Sequence, residues 1–320
     1  LDIPAKNGPY LFFDAEPLPG WEPLTKSFQD HRGLVLDLEA AGFEVDPVWD
    51  GATGHAGALV LASRFREVSE MHVAQALAGT RTGGLVVVAG EKTVGIASLR
   101  KRIGTLVEIE DALAKHHATV FWFCVPDDAA ALAKGLRPAP APHIDGRFET
   151  GPGVFSSAHA DPGSRLLAEA LPAGLGGAVA DFGAGWGYLS VEAANRCEAI
   201  SSIDLFEVSH RALEAAKRNM AALAPDTAAQ FHWADITREG IDARRFDAVI
   251  MNPPFHAGRG AEPALGVAFI RAASRTLKAG GRLFMVANRH LPYEAALQTA
   301  FRKVSVMAEA DGFKLFEAMR

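Results

Sequence analysis

From residue 178 to residue 318 the chain alternates short apolar runs with stretches of helical spacing. Residues 178–182, 199–205, 246–251, 282–287 and 313–318 read as strands. Residues 188–196, 209–223 and 264–277 read as helices. Ser209 stands where an N-cap belongs, and Lys278-Ala279-Gly280-Gly281 ends the third helix. Successive parallel strands need a crossover long enough to hold a helix, and such crossovers are right-handed. The pattern therefore confines this half of the chain to the α/β class, with a doubly wound, mostly parallel sheet.

The first half carries a fainter copy of the same pattern. Residues 83–89 parallel 280–287, residues 58–63 parallel 248–253, and residues 118–123 parallel 311–316. We therefore expect an internal duplication, giving two tandem Rossmann-like domains. The 320 residues are enough for two cores, and 49% of them are hydrophobic. That apolar content, with a net charge of only −6, excludes general disorder. Pro138, Pro140 and Pro142 mark an extended segment between the halves. The expected division is 1–137, a proline-rich linker at 138–150, and a second domain at 151–320.

The longest apolar runs, such as 120–125, are far short of a membrane span, so no membrane partner is expected. The two cysteines, Cys124 and Cys197, cannot form a disulfide framework, which fits a reducing, cytoplasmic setting. The first residues lack a basic start and an apolar core, which argues against a leader. A chain starting at Leu1 is expected to have had residues before it. Residues 1–150 hold 14 Lys+Arg against 20 Asp+Glu, whereas residues 151–320 hold 18 of each. The acidic first half is thus disfavoured as a general phosphate-binding surface, and Arg100-Lys101-Arg102 reads as a solvated helix face.

Three features of the second half carry chemistry. Asp181-Phe182-Gly183-Ala184-Gly185-Trp186-Gly187 runs from a strand through a glycine turn into a helix, which lets backbone approach a ligand. Tyr188 stands where a dinucleotide fingerprint needs Gly or Ala, which disfavours a nicotinamide dehydrogenase. Asp204 and Asp235 are read as closing the next two strands. A carboxylate there can accept ribose hydroxyls or an adenine amine, and Asp235 has Ile236 beside it. Finally, Asn252-Pro253-Pro254-Phe255 follows a strand directly. The two prolines fix an extended corner and remove two donors, leaving the Asn252 side-chain oxygen and the Pro253 carbonyl as acceptors. Two acceptors at fixed spacing suit a planar NH2 group, and Phe255 can stack on a planar acceptor. A guanine, an adenine or a glutamine amide would each satisfy the corner. His256 has no metal-ligand companions at suitable spacing, so no metal is expected.

These motifs resemble class I S-adenosylmethionine (SAM)-dependent N-methyltransferases. Pro152-Gly153-Val154-Phe155-Ser156, Asp161-Pro162-Gly163-Ser164, the corner through His256, Val286-Ala287-Asn288 and Leu291-Pro292-Tyr293 resemble more closely the bacterial small-subunit ribosomal RNA guanine-N2 methyltransferases. The resemblance implies two tandem methyltransferase-like domains, of which the first is degenerate and lacks a cofactor site. It implies SAM held by Asp181, Gly183, Gly185, Gly187, Asp204, Asp235, Ile236 and Asn252. It also implies a guanine of small-subunit rRNA as acceptor, aimed by Asn252, Pro253, Pro254 and Phe255. Phe155, His256, Arg259 and Arg289 are candidates for RNA contact. In the first half, Ala62-Ser63-Arg64-Phe65 stands in place of the corner and Ala89-Gly90-Glu91-Lys92 does not match a cofactor turn. A non-catalytic RNA scaffold would need a ruined cofactor site, whereas Asp181, Gly183, Gly185, Asp204, Asp235 and Asn252 are all present.

Overall fold

The computed structural model describes residues 8–139, 143–254, 256–257, 260–261 and 263–320. The chain divides into two units, Leu1–Pro140 and Ala141–Arg320.

In the first unit the strands are β1 (Tyr10–Phe13), β2 (Thr25–Phe28), β3 (Val45–Asp46), β4 (His55–Leu61), β5 (Thr80–Glu91), β6 (Asp111–Lys115) and β7 (Ala118–Cys124). They form one sheet in the order β3-β2-β1-β4-β5-β7-β6, in which β6 and β7 pair antiparallel. The helices are α1 (Arg32–Ala40), α2 (Arg66–Gly79), α3 (Ile96–Ile103) and α4 (Ala129–Leu136). In α3, Ile96, Leu99 and Ile103 are buried, while Arg100 and Lys101 are exposed.

The second unit opens with α5 (Pro162–Ala170), then β8 (Gly177–Phe182), α6 (Tyr188–Arg196), β9 (Ile200–Glu207), α7 (His210–Leu223), β10 (Ala228–Trp233) and β11 (Phe246–Met251). A two-residue ribbon follows, β12 (His256–Ala257) with β13 (Gly260–Ala261). The rest is α8 (Pro263–Thr276), β14 (Leu277–Asn288), α9 (Glu294–Ala300), β15 (Lys303–Ala310) and β16 (Phe313–Met319). The main sheet has the order β10-β9-β8-β11-β14-β16-β15. Strands β10, β9, β8, β11 and β14 pair in parallel, and β16 runs antiparallel to both of its neighbours, β14 and β15. Two apolar layers sandwich this sheet. Val179, Leu205, Ala216 and Val286 belong to one, and Phe182, Met251, Phe269 and Tyr293 to the other.

The two sheets repeat one order, and they also repeat one irregularity. In β4/β5, His55 pairs with Thr80 and the register then shifts so that Gly57 pairs with Leu85. In β11/β14, Phe246 pairs with Leu277 and the register then shifts so that Ala248 pairs with Arg282. Gly57 thus corresponds to Ala248, one position away from the match read in the sequence.

The expected linker is too long. Ile144 and Phe148, 4% and 0% exposed, belong to the core of the second unit, and their backbones bond to each other. Residues 143–150 are therefore part of that domain. Two apolar side chains, Ile144 and Phe148, decide where residues 143–150 pack.

Candidate active site

The strand β8 ends in a turn whose backbone only glycine adopts easily. Gly183, Gly185 and Gly187 have φ of 74°, 56° and 85°. At Gly187 a Cβ would also lie 3.1 Å from the Ala216 Cβ and 3.2 Å from its Cα, tighter than ordinary packing. The turn is tied to its surroundings at several points. Gly185 N donates to Glu207 Oε2 at 2.8 Å, and Ser209 N donates to Glu207 Oε1 at 2.9 Å. Asn219, 1% exposed on α7, donates to Trp186 O and Glu149 O and accepts from Glu149 N. Trp186 in turn donates through Nε1 to Phe155 O. One buried amide thus fastens residue 149 to the glycine turn.

Asp181 sits beneath the turn, fully buried, where Ser190 Oγ donates to its Oδ2 at 2.7 Å. Its Oδ1 has no partner among the described residues. Burial disfavours the charged form, and Glu207 adds to the effect, so the carboxyl pKa is pushed up to about 7.

Across from the turn stands Asn252, just past β11. Its Nδ2 donates to Asp161 Oδ2 at 2.7 Å and to Ser164 Oγ at 2.8 Å. Asp161 also caps α5, accepting from Ser164 N at 2.9 Å. A carboxylate only accepts, so the nitrogen of the Asn252 amide must face it and the oxygen Oδ1 is left to the crevice. Pro253 is buried and Pro254 exposed. The crevice is lined by Phe155, Gly183, Gly185, Tyr188 and Asn252 among others.

A family model described as the methyltransferase small domain matches residues 145–317. The ribosomal RNA small subunit methyltransferase C of Stutzerimonas stutzeri (strain A1501) is 31% identical over 269 residues, 82% of this chain and 79% of that one. The protein of the same name from Pseudomonas putida (strain W619) is 29% identical over 332 residues, 98% of this chain and 96% of that one. The chain belongs to the ribosomal RNA small subunit methyltransferase C family. Among solved structures, a T. thermophilus 16S rRNA guanine-N2 methyltransferase in complex with AdoMet and guanosine matches with a TM-score of 0.82 at 24% identity. That match covers 100% of this chain and 91% of the other, and it shows a shared fold.

Within this methyltransferase the structure redraws part of the expected site. Asp204 does not close its strand: β9 continues to Glu207, and Asp204 pairs in register with Ala180. Its side chain is 3% exposed and held by His232 Nε2 at 2.7 Å and Arg245 at 2.9 Å. Phe206 is apolar and extends the strand, which leaves Glu207 as the acid at the lip. Glu207 escapes a sequence reading because Asp204, the first acid of this strand, comes three residues earlier. Asp235 lies in the loop beyond β10, where its Oδ1 accepts from the Thr237 N and Oγ1 atoms. The neighbouring Ile236 is buried. Neither residue lines the crevice between Asn252 and the glycine turn.

Phe155 is 57% exposed at the crevice, and Arg289 is exposed just past β14. Phe255 and Arg259 lie outside the described residues, and only the backbone of His256 is described, in β12. Among the described residues no group of three His, Cys, Asp or Glu could hold a metal, and no helix is long and apolar enough to cross a membrane.

The first unit preserves the frame of the turn with other residues in it. Phe13 pairs with Phe28 as Phe182 pairs with Phe206. Ala15 N donates to Phe28 O as Ala184 N donates to Phe206 O. Asp14 has φ of 55° where Gly183 has 74°. Gln29 stands where Glu207 does. Its Oε1 accepts from His31 N, and its Nε2 donates to Ala15 O. The counterpart of the cofactor turn is therefore Asp14-Ala15-Glu16. Ala89-Gly90-Glu91-Lys92 instead lies at the end of β5, the counterpart of β14.

Proposed function

We propose that the chain transfers a methyl group from SAM to the exocyclic N2 of a guanine in small-subunit ribosomal RNA, in the cytoplasm. The observation that carries this reading is Asn252 Oδ1, left to the crevice opposite the glycine turn by Asp161 and Ser164. The residues fit the cofactor. The turn is open at Gly185, where a Cβ would meet nothing within 4 Å, and the buried Asp181 beneath it has an unused oxygen. Gly183 and Gly185 would hold the amino-acid end, Glu207 the ribose hydroxyls, and Asp235 with the Ile236 backbone the adenine.

Bound SAM supplies a methyl on a sulfonium sulfur, which keeps the electron pair of the broken S–C bond. Asn252 Oδ1 and the Pro253 carbonyl accept the two N2 hydrogens of the guanine, which turns its lone pair away from them. That lone pair forms the new N–C bond, and the proton made acidic by alkylation leaves to water. The protein therefore works mainly by orientation. An RNA base must be splayed out to reach such a pocket, and the exposed ring of Phe155 at the crevice offers a stacking face.

The test is label transfer from methyl-labelled SAM to unmodified small subunits, large subunits, naked rRNA, duplex DNA and a release factor in parallel. Label confined to guanine N2 of the small-subunit RNA is the expected result. Label in another acceptor alone would move the target there.

A further inference from the structure

Asn252 is symmetric in shape: turned over, its amide would occupy the same space and present two N–H donors to the crevice. Which face it presents decides what it selects. We propose that Asp161 is a specificity-determining positioning residue, and that Ser164 assists it. This inference rests on the reading of Asn252 as the acceptor of an NH2 group.

The geometry is one-sided. Asp161 Oδ2 receives two N–H groups, Ser164 N at 2.9 Å and Asn252 Nδ2 at 2.7 Å. The second proton of Asn252 Nδ2 goes to Ser164 Oγ at 2.8 Å. Both donors of the amide are thus used on the side of α5. A flipped amide would place its oxygen against the carboxylate, acceptor against acceptor. The carboxylate also polarises the amide it binds, making Oδ1 a stronger acceptor. As the guanine nitrogen gains its methyl it becomes cationic and its N–H groups become stronger donors. Asp161, through Asn252, then favours that charge without touching the base. A donor-presenting site would instead select an acceptor such as a carbonyl or a ring nitrogen.

Helix capping and clamping can be separated. Serine is as good an N-cap as aspartate. In Asp161→Ser the hydroxyl can still accept from Ser164 N, but it is too short to reach Asn252. We expect SAM affinity by calorimetry within about twofold of wild type and turnover on small subunits at least about tenfold lower. Asn252→Asp would set two carboxylates face to face and lose more. Asn252→Asp with Asp161→Asn rebuilds the pair with its donor on the other side, so it should regain at least about tenfold over Asn252→Asp alone. A second readout needs no turnover. In 15N-labelled protein the Asn252 side-chain NH2 protons should exchange slowly in wild type and fast in Asp161→Ser.

Full turnover in Asp161→Ser, a double variant no better than Asn252→Asp, or unchanged amide exchange would each overturn the clamp. Absence of label with the wild-type enzyme would overturn the functional reading alone, because the exchange measurement still decides the clamp.

Discussion

Asp204 and Glu207 lie three residues apart on one strand and do different work. Asp204 is buried between His232 and Arg245, so Asp204→Asn should cost of the order of 1–3 kcal/mol in chemical denaturation and leave SAM affinity nearly unchanged. Glu207→Gln should do the reverse, weakening SAM binding by at least about tenfold in calorimetry with a small change in melting temperature. At Asn252 the expected outcome of Asn252→Ala is a turnover reduced by about tenfold or more, with SAM affinity retained. Asp181 gives a pH signature. Its folded-state pKa, about 7, lies above the ordinary value of 3.8. Its contribution to stability is therefore complete below about pH 4 and is lost as pH rises through 7. Over that window wild type should lose up to about 4 kcal/mol relative to Asp181→Asn, in the absence of cofactor. Parallel melts of the two proteins between pH 4 and pH 8 check this. A constant gap would show that burial does not hold the proton.

At the level of elements, the sequence and the structure agree most closely where periodicity and punctuation coincide. The helix 188–196 and the strand 246–251 have the bounds read from the sequence, and Ser209 caps α7 by accepting from Ala212 N. The disagreements have local causes. Strand β9 runs past its first acid because Phe206 packs on Phe182 and Phe246. Strand β14 starts at Leu277, before the glycine pair, because a register shift absorbs the extra residues. The glycine turn is the least tolerant element. Gly187→Ala combines a left-handed backbone with an Ala216 contact at 3.2 Å. It should abolish measurable SAM binding before it unfolds the domain, as circular dichroism and calorimetry together would show.

For the whole molecule, the chain divides near residue 140, inside the segment 138–150 read from the sequence as a linker. A fragment spanning 141–320 keeps Ile144 and Phe148 in its core, whereas one spanning 151–320 exposes the apolar surface they cover. The longer fragment should be the more stable by roughly 2–5 kcal/mol in urea denaturation. Equal stability would return those ten residues to the linker.

The sequence by itself determined the fold class, the tandem repeat and the Asn252 corner. Strand–helix alternation, glycine turns and double prolines act over a few residues, and their physics is local. What only the tertiary structure decided depends on side chains far apart in the chain. Asp161 and Ser164 reach Asn252 across some ninety residues. Asn219 reaches Glu149 and Trp186, and His232 with Arg245 claims Asp204. A carboxylate at a strand end and one three residues earlier look alike in sequence. Folding buries one between His232 and Arg245 and leaves the other at the end of the strand, beside the glycine turn.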